Sequence, residues 1–305
     1  MDKMTQTAGQ AEWTLGRRTV PVTHLDKLFW PADGVTKGEM LEYYRDMAEV
    51  MLPHFRDRPL TLRVFPEGIH GFSFYRRDAP EDTPAWLRTV DYQPKTTDEV
   101  IQLLIVEDAA GLVWLANQGA IEFHLWTSRL PALPYPDMAV FDLDPGDQAD
   151  FGRVLQAALR VRDALQALGL RCYPKTSGGR GMHIYVPLEP AHPFDFVREW
   201  VKGVAHQLAA AYPDEIAVAH GPTHRGAQVT IDHAQNSLGR NTAAVYTLRA
   251  QPHAPVSTPL RWEEVEAGDI RPEHFTIRTV PARVVKEGDL FAGVLQGGQT
   301  LPVPP

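Results

Sequence analysis

Between residues 139 and 234 strand-like and helix-like hydrophobic patterns alternate at short intervals, and few folds can accommodate that order. AVFDLD (139–144) alternates as a strand, and DFGRVLQAALRVRDALQALG (150–169) has the spacing of an amphipathic helix stopped by Gly169. LRCYPKT (170–176) is a strand, SGGRG (177–181) a turn and MHIYVPL (182–188) a strand. PFDFVREWVKGVAHQLAAAY (193–212) is a helix and AQVTIDHA (227–234) a strand. The order is β-α-β-β-α-β, so two helices must cover one face of a single sheet.

This is a split βαβ arrangement of the ferredoxin-like (RRM-like) type. It predicts that the first and third strands are central neighbours, with the fourth beside the first. Side chains two apart in a strand share a face. With Phe141 and Leu143 against the helices, Asp142 and Asp144 fall on the other side. The same rule places His183 and Tyr185, and then Thr230 and Asp232, on that side, which is expected to be uncovered. Three carboxylates and a histidine are thus assigned to one face, while their heights along the strands stay open. Taken alone, D-x-D followed by Pro145-Gly146 reads first as a solvated strand end at which Asp144 begins a turn.

Like charges so close raise one another's pKa unless a cation sits between them. Clustered carboxylates suit Mg²⁺ or Mn²⁺, hard ions that prefer oxygen. Two such ions can activate a hydroxyl and stabilise an oxygen leaving phosphorus. In the SGGRG turn the glycines allow backbone N–H groups to curl around an anion, and Ser177 and Arg180 add a hydroxyl and a charge. The Lys-Ser/Thr ending of a Walker loop is absent. Downstream of Asp232, the loop to residue 249 carries Gln235, Asn236, Arg240 and Arg249.

The first half reads as mixed α and β. Residues 35–55 have helical spacing, 60–66 and 72–77 alternate as strands, 96–120 is helical in parts, and 121–129 alternates again. The 305 residues, 44% hydrophobic, are enough for one large domain or two coupled subdomains. A single cysteine, Cys172, excludes an internal disulfide and a cysteine zinc cluster. With the polar start MDKMTQTAGQ it fits a reducing, cytoplasmic compartment, and no apolar run is long enough to span a bilayer. A net charge of −8 argues against a globally basic nucleic-acid surface but allows a local basic groove.

The motifs FDLDPGD, SGGRGMHIYVPL and IDHAQN, in this order, resemble the polymerase domain of the bacterial end-joining DNA ligases (ligase D), in the archaeo-eukaryotic primase superfamily. LDKLFWPADGVTKGEMLEYY, RPLTLRVFPEG, FSFYRRDAP, ANQGAIEFHLW, NTAAVYTLRA, VSTPLRWEEV and FTIRTVPAR are similar to that family's stretches too, from about residue 13 to 290. The resemblance implies an α/β (α+β) primase-like fold, its catalytic sheet packed with an N-terminal mixed subdomain. Its parts are tails at 1–12 and 291–305 and one domain at 13–290. Within that domain, 13–137 binds template and 5′-phosphate, 138–250 is catalytic, and 251–290 closes it.

It implies a template-dependent polymerase that fills short gaps at double-strand breaks during end joining, prefers ribonucleotides and uses two Mn²⁺ or Mg²⁺ ions. Asp142, Asp144 and Asp232 match the metal ligands and catalytic residues. Ser177, Arg180, His183, Arg240 and Arg249 match groups around the incoming nucleotide's phosphates, with Gln235 in the same loop and His124 near the site. Phe74 and Tyr75 match a template-stacking pair, Arg63 a template-side cation, and Lys27 and Lys37 the lysines that hold a 5′-phosphate. Two departures stand out. His24 replaces an asparagine, and Arg180 and Arg240 stand where lysines are common, which keeps charge but changes geometry. The expected partners are gapped DNA ends, NTP or dNTP, Ku and a separate ligase, in a nucleoid-associated setting, with no membrane. A primase that starts chains de novo, a non-catalytic 5′-phosphate end-recognition module and a metal-dependent phosphoesterase are the alternatives.

Overall fold

The structure is a computed structural model; it describes residues 5–7, 9–94, 98–218 and 226–302. Parts of the expected tails (1–4, 8 and 303–305) and the start of the 96–120 segment lie outside the described residues.

The β-α-β-β-α-β order is present. The strands Met138–Pro145, Tyr173–Thr176, Met182–Pro187 and Val229–Asp232 alternate with the helices Phe151–Ala167 and Phe194–Ala211. Met138–Pro145 lies between Met182–Pro187 and Val229–Asp232, antiparallel to both, as the split βαβ layout requires. A fifth strand, Ile216–Val218, runs parallel to Val229–Asp232 at the edge. Its three residues are too few to show a period in sequence.

Both helices cover one face of this sheet. Their apolar stripes, Val154, Ala158, Val161 and Leu165 on one and Val197, Trp200, Val201 and Val204 on the other, are buried against Phe141, Leu143, Ile184 and Ile231. Phe141 meets Trp200 edge to face, with ring centroids 6.3 Å apart. Asp150 caps the first helix by accepting from the Arg153 N–H.

The other face is not uncovered, contrary to the sequence expectation. A second antiparallel sheet, ordered Thr242–Ala243, Ala120–Leu125, Leu60–Val64, Phe74–Arg76, stands over it. The Tyr185 and Thr242 hydroxyls hydrogen-bond at 2.5 Å, and Tyr185 packs edge-on against Phe291. Patterns within one strand cannot show that a distant strand will roof it. The segment expected as helix over 35–55 is two helices, Lys37–Asp46 and Ala48–Phe55, separated at Met47. The 96–120 stretch contains the strand Ile101–Ile105 before the helix Ala109–Asn117. In the segments expected as tails, Thr5–Thr7 is a strand, the strand Gln10–Leu15 begins, and Leu301 is buried.

Candidate active site

Strand register sets the heights that sequence left open. Lys175 pairs with His183, His183 with Asp142, and Asp142 with Asp232. Directly opposed residues in a ladder point the same way. One row across four strands therefore reads Lys175, His183, Asp142, Asp232, and Asp144 sits one pleat along, opposite Thr230. Asp142 is 6% exposed. Burial, then the neighbouring Asp232 carboxylate, pushes its pKa up to about 7. Burial and the Lys175 and Arg249 charges lower the pKa of His183, whose Nε2 lies 3.2 Å from Asp142 Oδ1.

The row opens into a cavity of about 460 Å³ between the two sheets. Asp142, Asp144, Ser177 and His183 line it from the catalytic sheet, and Gln235, Arg240 and Arg249 from the following loop and beyond. Tyr75, Arg77 and His124 line it from the roof. Asn236 holds the loop in place, its Oδ1 accepting from Val140 N–H and its Nδ2 donating to Val140 C=O, both at 2.8 Å. Asp232 Oδ1 accepts from Ala234 N–H at 2.8 Å, which turns the chain at the end of its strand.

The SGGRG turn behaves differently from the expected open nest. Ser177 Oγ itself accepts from the N–H groups of Gly179 and Gly181, at 3.2 and 3.3 Å. The tightness explains the glycines: a Cβ at Gly181 would meet Leu143 O, and Gly178 has φ +74° with Arg249 against it. Arg249 Nη1 donates to Ser177 O at 2.6 Å, tying the turn to the later loop. Arg180 does not line this cavity. Its guanidinium donates to the carbonyls of Gly146 and Ala149, beside a separate cavity of about 340 Å³. Arg240 is exposed at the mouth of the catalytic cavity.

Phe74 and Tyr75 point to opposite faces of an edge strand. Tyr75, 61% exposed, faces the cavity with its ring edge-on to His124. Arg63 stands over the Tyr75 ring at 5.6 Å. Phe74 lies on the other face, stacked on Phe72 and packed against the core. Lys27 and Lys37 lie away from the catalytic cavity, near one another in the N-terminal part. Lys37 is 5% exposed, with Nζ 3.4 Å from Thr23 Oγ1; burial, then Lys27, lowers its pKa to about 8. Lys27 Nζ donates to Pro66 O and pairs with Glu67, both at 2.8 Å. His24 adopts φ +57°, and its carbonyl accepts from Lys27 N–H.

Sequence reading missed two buried ionisable groups. Glu122 has no exposed surface and gathers His124 at 2.9 Å, Arg249 at 3.3 Å and Arg63 at 3.6 Å. It also accepts from Ala250 N–H at 3.0 Å. Although burial opposes its charge, these partners hold its pKa down at about 2. Lys175 is likewise fully buried, and burial, then Arg249, drives its pKa well below the usual lysine value. Only Glu122 carried a signal in sequence, two residues from a site-facing position on its strand; the place of Lys175 comes from register. Glu122 shares a face with His124, and Lys175 lies one strand from His183.

Among the described residues, no three His, Cys, Asp or Glu side chains form a preformed metal cage. The carboxylate set still fits Mg²⁺ or Mn²⁺, ions that take one or two carboxylates and complete their shell with water and phosphate oxygens. Burial first and the Asp232 carboxylate second raise the pKa of Asp142, and a cation held there would oppose both. Among the described residues, no helix is long and apolar enough to cross a membrane.

Comparison with known proteins places this geometry. The Mycobacterium tuberculosis multifunctional non-homologous end joining DNA repair protein LigD is 34% identical over 282 residues, covering 89% of this chain and 36% of that protein. The Pseudomonas aeruginosa multifunctional non-homologous end joining protein LigD is 33% identical over 265 residues, covering 87% of this chain and 31% of that protein. The chain thus spans about a third of the length of these relatives. A solved polymerase domain from Mycobacterium tuberculosis ligase D in complex with DNA matches with a TM-score of 0.86 at 31% identity, over 92% of this chain and 99% of that one. The family model of the LigD primase-polymerase domain matches residues 36–291, and with this mixed α/β fold the chain belongs to that family.

Proposed function

We propose that the chain is a template-directed nucleotidyltransferase that fills short gaps at DNA ends and prefers ribonucleotides. The observation that carries this reading is the row His183–Asp142–Asp232 with Asp144 one pleat along, of which His183, Asp142 and Asp144 line a cavity that also presents Ser177, Arg240 and Arg249. A phosphoesterase would use the carboxylates alone, and a pure DNA binder would gain nothing from three acids beside a polyanion. The DNA complex of the related polymerase domain supports nucleic acid as the substrate.

Asp142, Asp144 and Asp232 would hold two Mg²⁺ or Mn²⁺ ions. Bound there, such ions lower the pKa of an attacking 3′-hydroxyl and neutralise charge on the transferred phosphoryl group. The protein's own groups bind and orient. Arg240 and Arg249 offer forked N–H donors to the triphosphate, and Ser177 adds a hydroxyl. Gln235 steadies Asp142, whose carboxylate it hydrogen-bonds. Glu122 fixes Arg249 and His124, so the groups facing the phosphates are ordered before nucleotide arrives. Tyr75 with Arg63 above it forms a stacking surface for a template base. Phe74 takes no part in it, and Arg180 holds the turn by its carbonyl bonds. Lys27 and Lys37 hold the 5′-phosphate of the downstream strand, and Ku and a separate ligase complete the joining.

The test is a duplex with a one-nucleotide gap, incubated with Mn²⁺ and each labelled NTP, with the templating base varied. The expected result is addition of the complementary nucleotide, and no product from a single strand lacking a primer. Addition that ignores the template base overturns the reading, and synthesis without a primer favours a primase.

A further inference from the structure

The buried lysine beside the catalytic row has no role in the function as described above, and its hydrogen bonds constrain the protons around it. Ser257 Oγ donates to the carbonyl of Thr176 at 2.8 Å and lies 2.5 Å from Lys175 Nζ. Lys175 Nζ lies 2.9 Å from His183 Nδ1, and His183 Nε2 lies 3.2 Å from Asp142 Oδ1. Lys175 and Ser257 have no exposed surface, and His183 has 5%. Water therefore has little access to rearrange the chain.

One end of this chain is a fixed acceptor, the Thr176 carbonyl. A neutral serine hydroxyl gives one proton and a neutral imidazole gives one. With Ser257 donating to Thr176 O, Ser257 Oγ accepts from Lys175 Nζ. An ammonium there has donors and no lone pair, so its contact with His183 Nδ1 makes that nitrogen the acceptor and leaves the ring proton on Nε2, 3.2 Å from Asp142 Oδ1.

We infer that Lys175 is a positioning residue that fixes His183 in its Nε2–H form, so that the ring presents a donor and not a lone pair to the catalytic cavity. The consequence is selective. An exposed Nε2 lone pair beside Asp142 would itself be a ligand for a divalent cation. An Nε2–H instead serves an acceptor, either the Asp142 carboxylate or a phosphate oxygen. Lys175 thus keeps His183 out of the metal's coordination shell and available to anions. The benefit to catalysis rests on the proposed nucleotidyl transfer, whereas the tautomer itself does not.

The experiment reads the ring nitrogens of His183 by two-bond ¹H–¹⁵N correlation spectra of the metal-free, histidine-labelled chain, with His183→Asn identifying the signal. The unmodified protein is expected to show an Nε2–H ring. Lys175→Met, similar in length but without a donor, is expected to lose that preference and show a mixed or Nδ1–H ring. Ser257→Ala leaves the Lys175 donor in place and is expected to keep Nε2–H. In the gapped-duplex assay Lys175→Met should lower kcat about 10- to 100-fold, the usual effect of removing a partner behind a site group. An Nδ1–H ring in the unmodified protein overturns the inference even if Lys175→Met does not fold. So does a folded Lys175→Met that keeps a pure Nε2–H ring, or a Ser257→Ala that loses it as fully as Lys175→Met. An expected set of spectra with no nucleotide addition by the unmodified protein would instead sink the proposed function and leave the tautomer assignment standing.

Discussion

Lys37 sits in the folded protein as a nearly buried ammonium whose one side-chain hydrogen bond is a long contact to Thr23, so replacing it with methionine should stabilise the chain while removing a binding function. The lysine's pKa falls from the usual 10.5 to about 8. At roughly 1.4 kcal/mol per pH unit, keeping it charged costs about 3 kcal/mol at neutral pH. Methionine keeps the length and apolar stem, has no charge to desolvate and removes repulsion with Lys27. It loses only the 3.4 Å contact to Thr23. Lys37→Met should therefore raise unfolding free energy by about 1–3 kcal/mol at pH 7. The sign with pH follows from proton counting. Between about 8 and 10.5 the unfolded chain binds the Lys37 proton and the folded chain does not, so this group's contribution to stability rises with pH. The gap between variant and parent should shrink over that window. Urea unfolding at pH 7 and pH 10 measures it. Binding to gapped duplexes with and without a downstream 5′-phosphate, at fixed salt, measures the loss of preference that should accompany it. A variant no more stable at pH 7, or a gap that does not change with pH, would refute the electrostatic reasoning. An undiminished 5′-phosphate preference would remove Lys37 from that site.

Tyr75→Ala should weaken template binding by about 1–3 kcal/mol, the worth of one stacked base, whereas Phe74→Ala should leave it unchanged and lower stability, because the two rings face opposite ways; equal effects on binding would contradict the strand geometry. Glu122→Gln should cost about 3–5 kcal/mol of stability by leaving Arg249 and Arg63 short of a buried counter-charge, as measured by urea unfolding. Because the folded pKa of Glu122 is depressed to about 2, its contribution is complete above about pH 4.5 and lost as pH falls through 2, and a parent-to-variant gap unchanged at pH 2.5 would exclude this origin. ATP should be used with higher kcat/KM than dATP opposite thymine, and equal values would remove the ribonucleotide preference.

Much of this site was legible because one rule, two-residue alternation, governs it. Asp142 with Asp144 could be placed on one face from spacing, and Phe141, Leu143, Ile184 and Ile231 on the other, since burial of one face fixes the whole strand. Alternation cannot give register, so the alignment of His183, Asp142 and Asp232 came only from the ladder. It also says nothing of long-range partners. The roof over the catalytic face comes from strands at 60–64, 74–76, 120–125 and 242–243, outside the catalytic strands, and Glu122 collects the guanidiniums of Arg63 and Arg249 from two other segments of chain. Arg180 shows the limit of motif reading: its place beside a glycine turn suggests a phosphate contact, whereas in the structure its guanidinium donates to the carbonyls of Gly146 and Ala149. Phe74 and Tyr75 were matched as a pair, and the same alternation that placed the aspartates separates them.

The measurement that bears most directly on the central claim is single-nucleotide addition to a gapped duplex by Asp142→Asn, Asp144→Asn and Asp232→Asn, with DNA binding measured on the same samples. Asparagine keeps shape and removes the charge that would hold a cation. The account predicts that each variant loses on the order of a hundredfold or more in kcat, about 3 kcal/mol of transition-state stabilisation, with DNA affinity intact. Near-normal addition by Asp142→Asn, at the centre of the row, would contradict it.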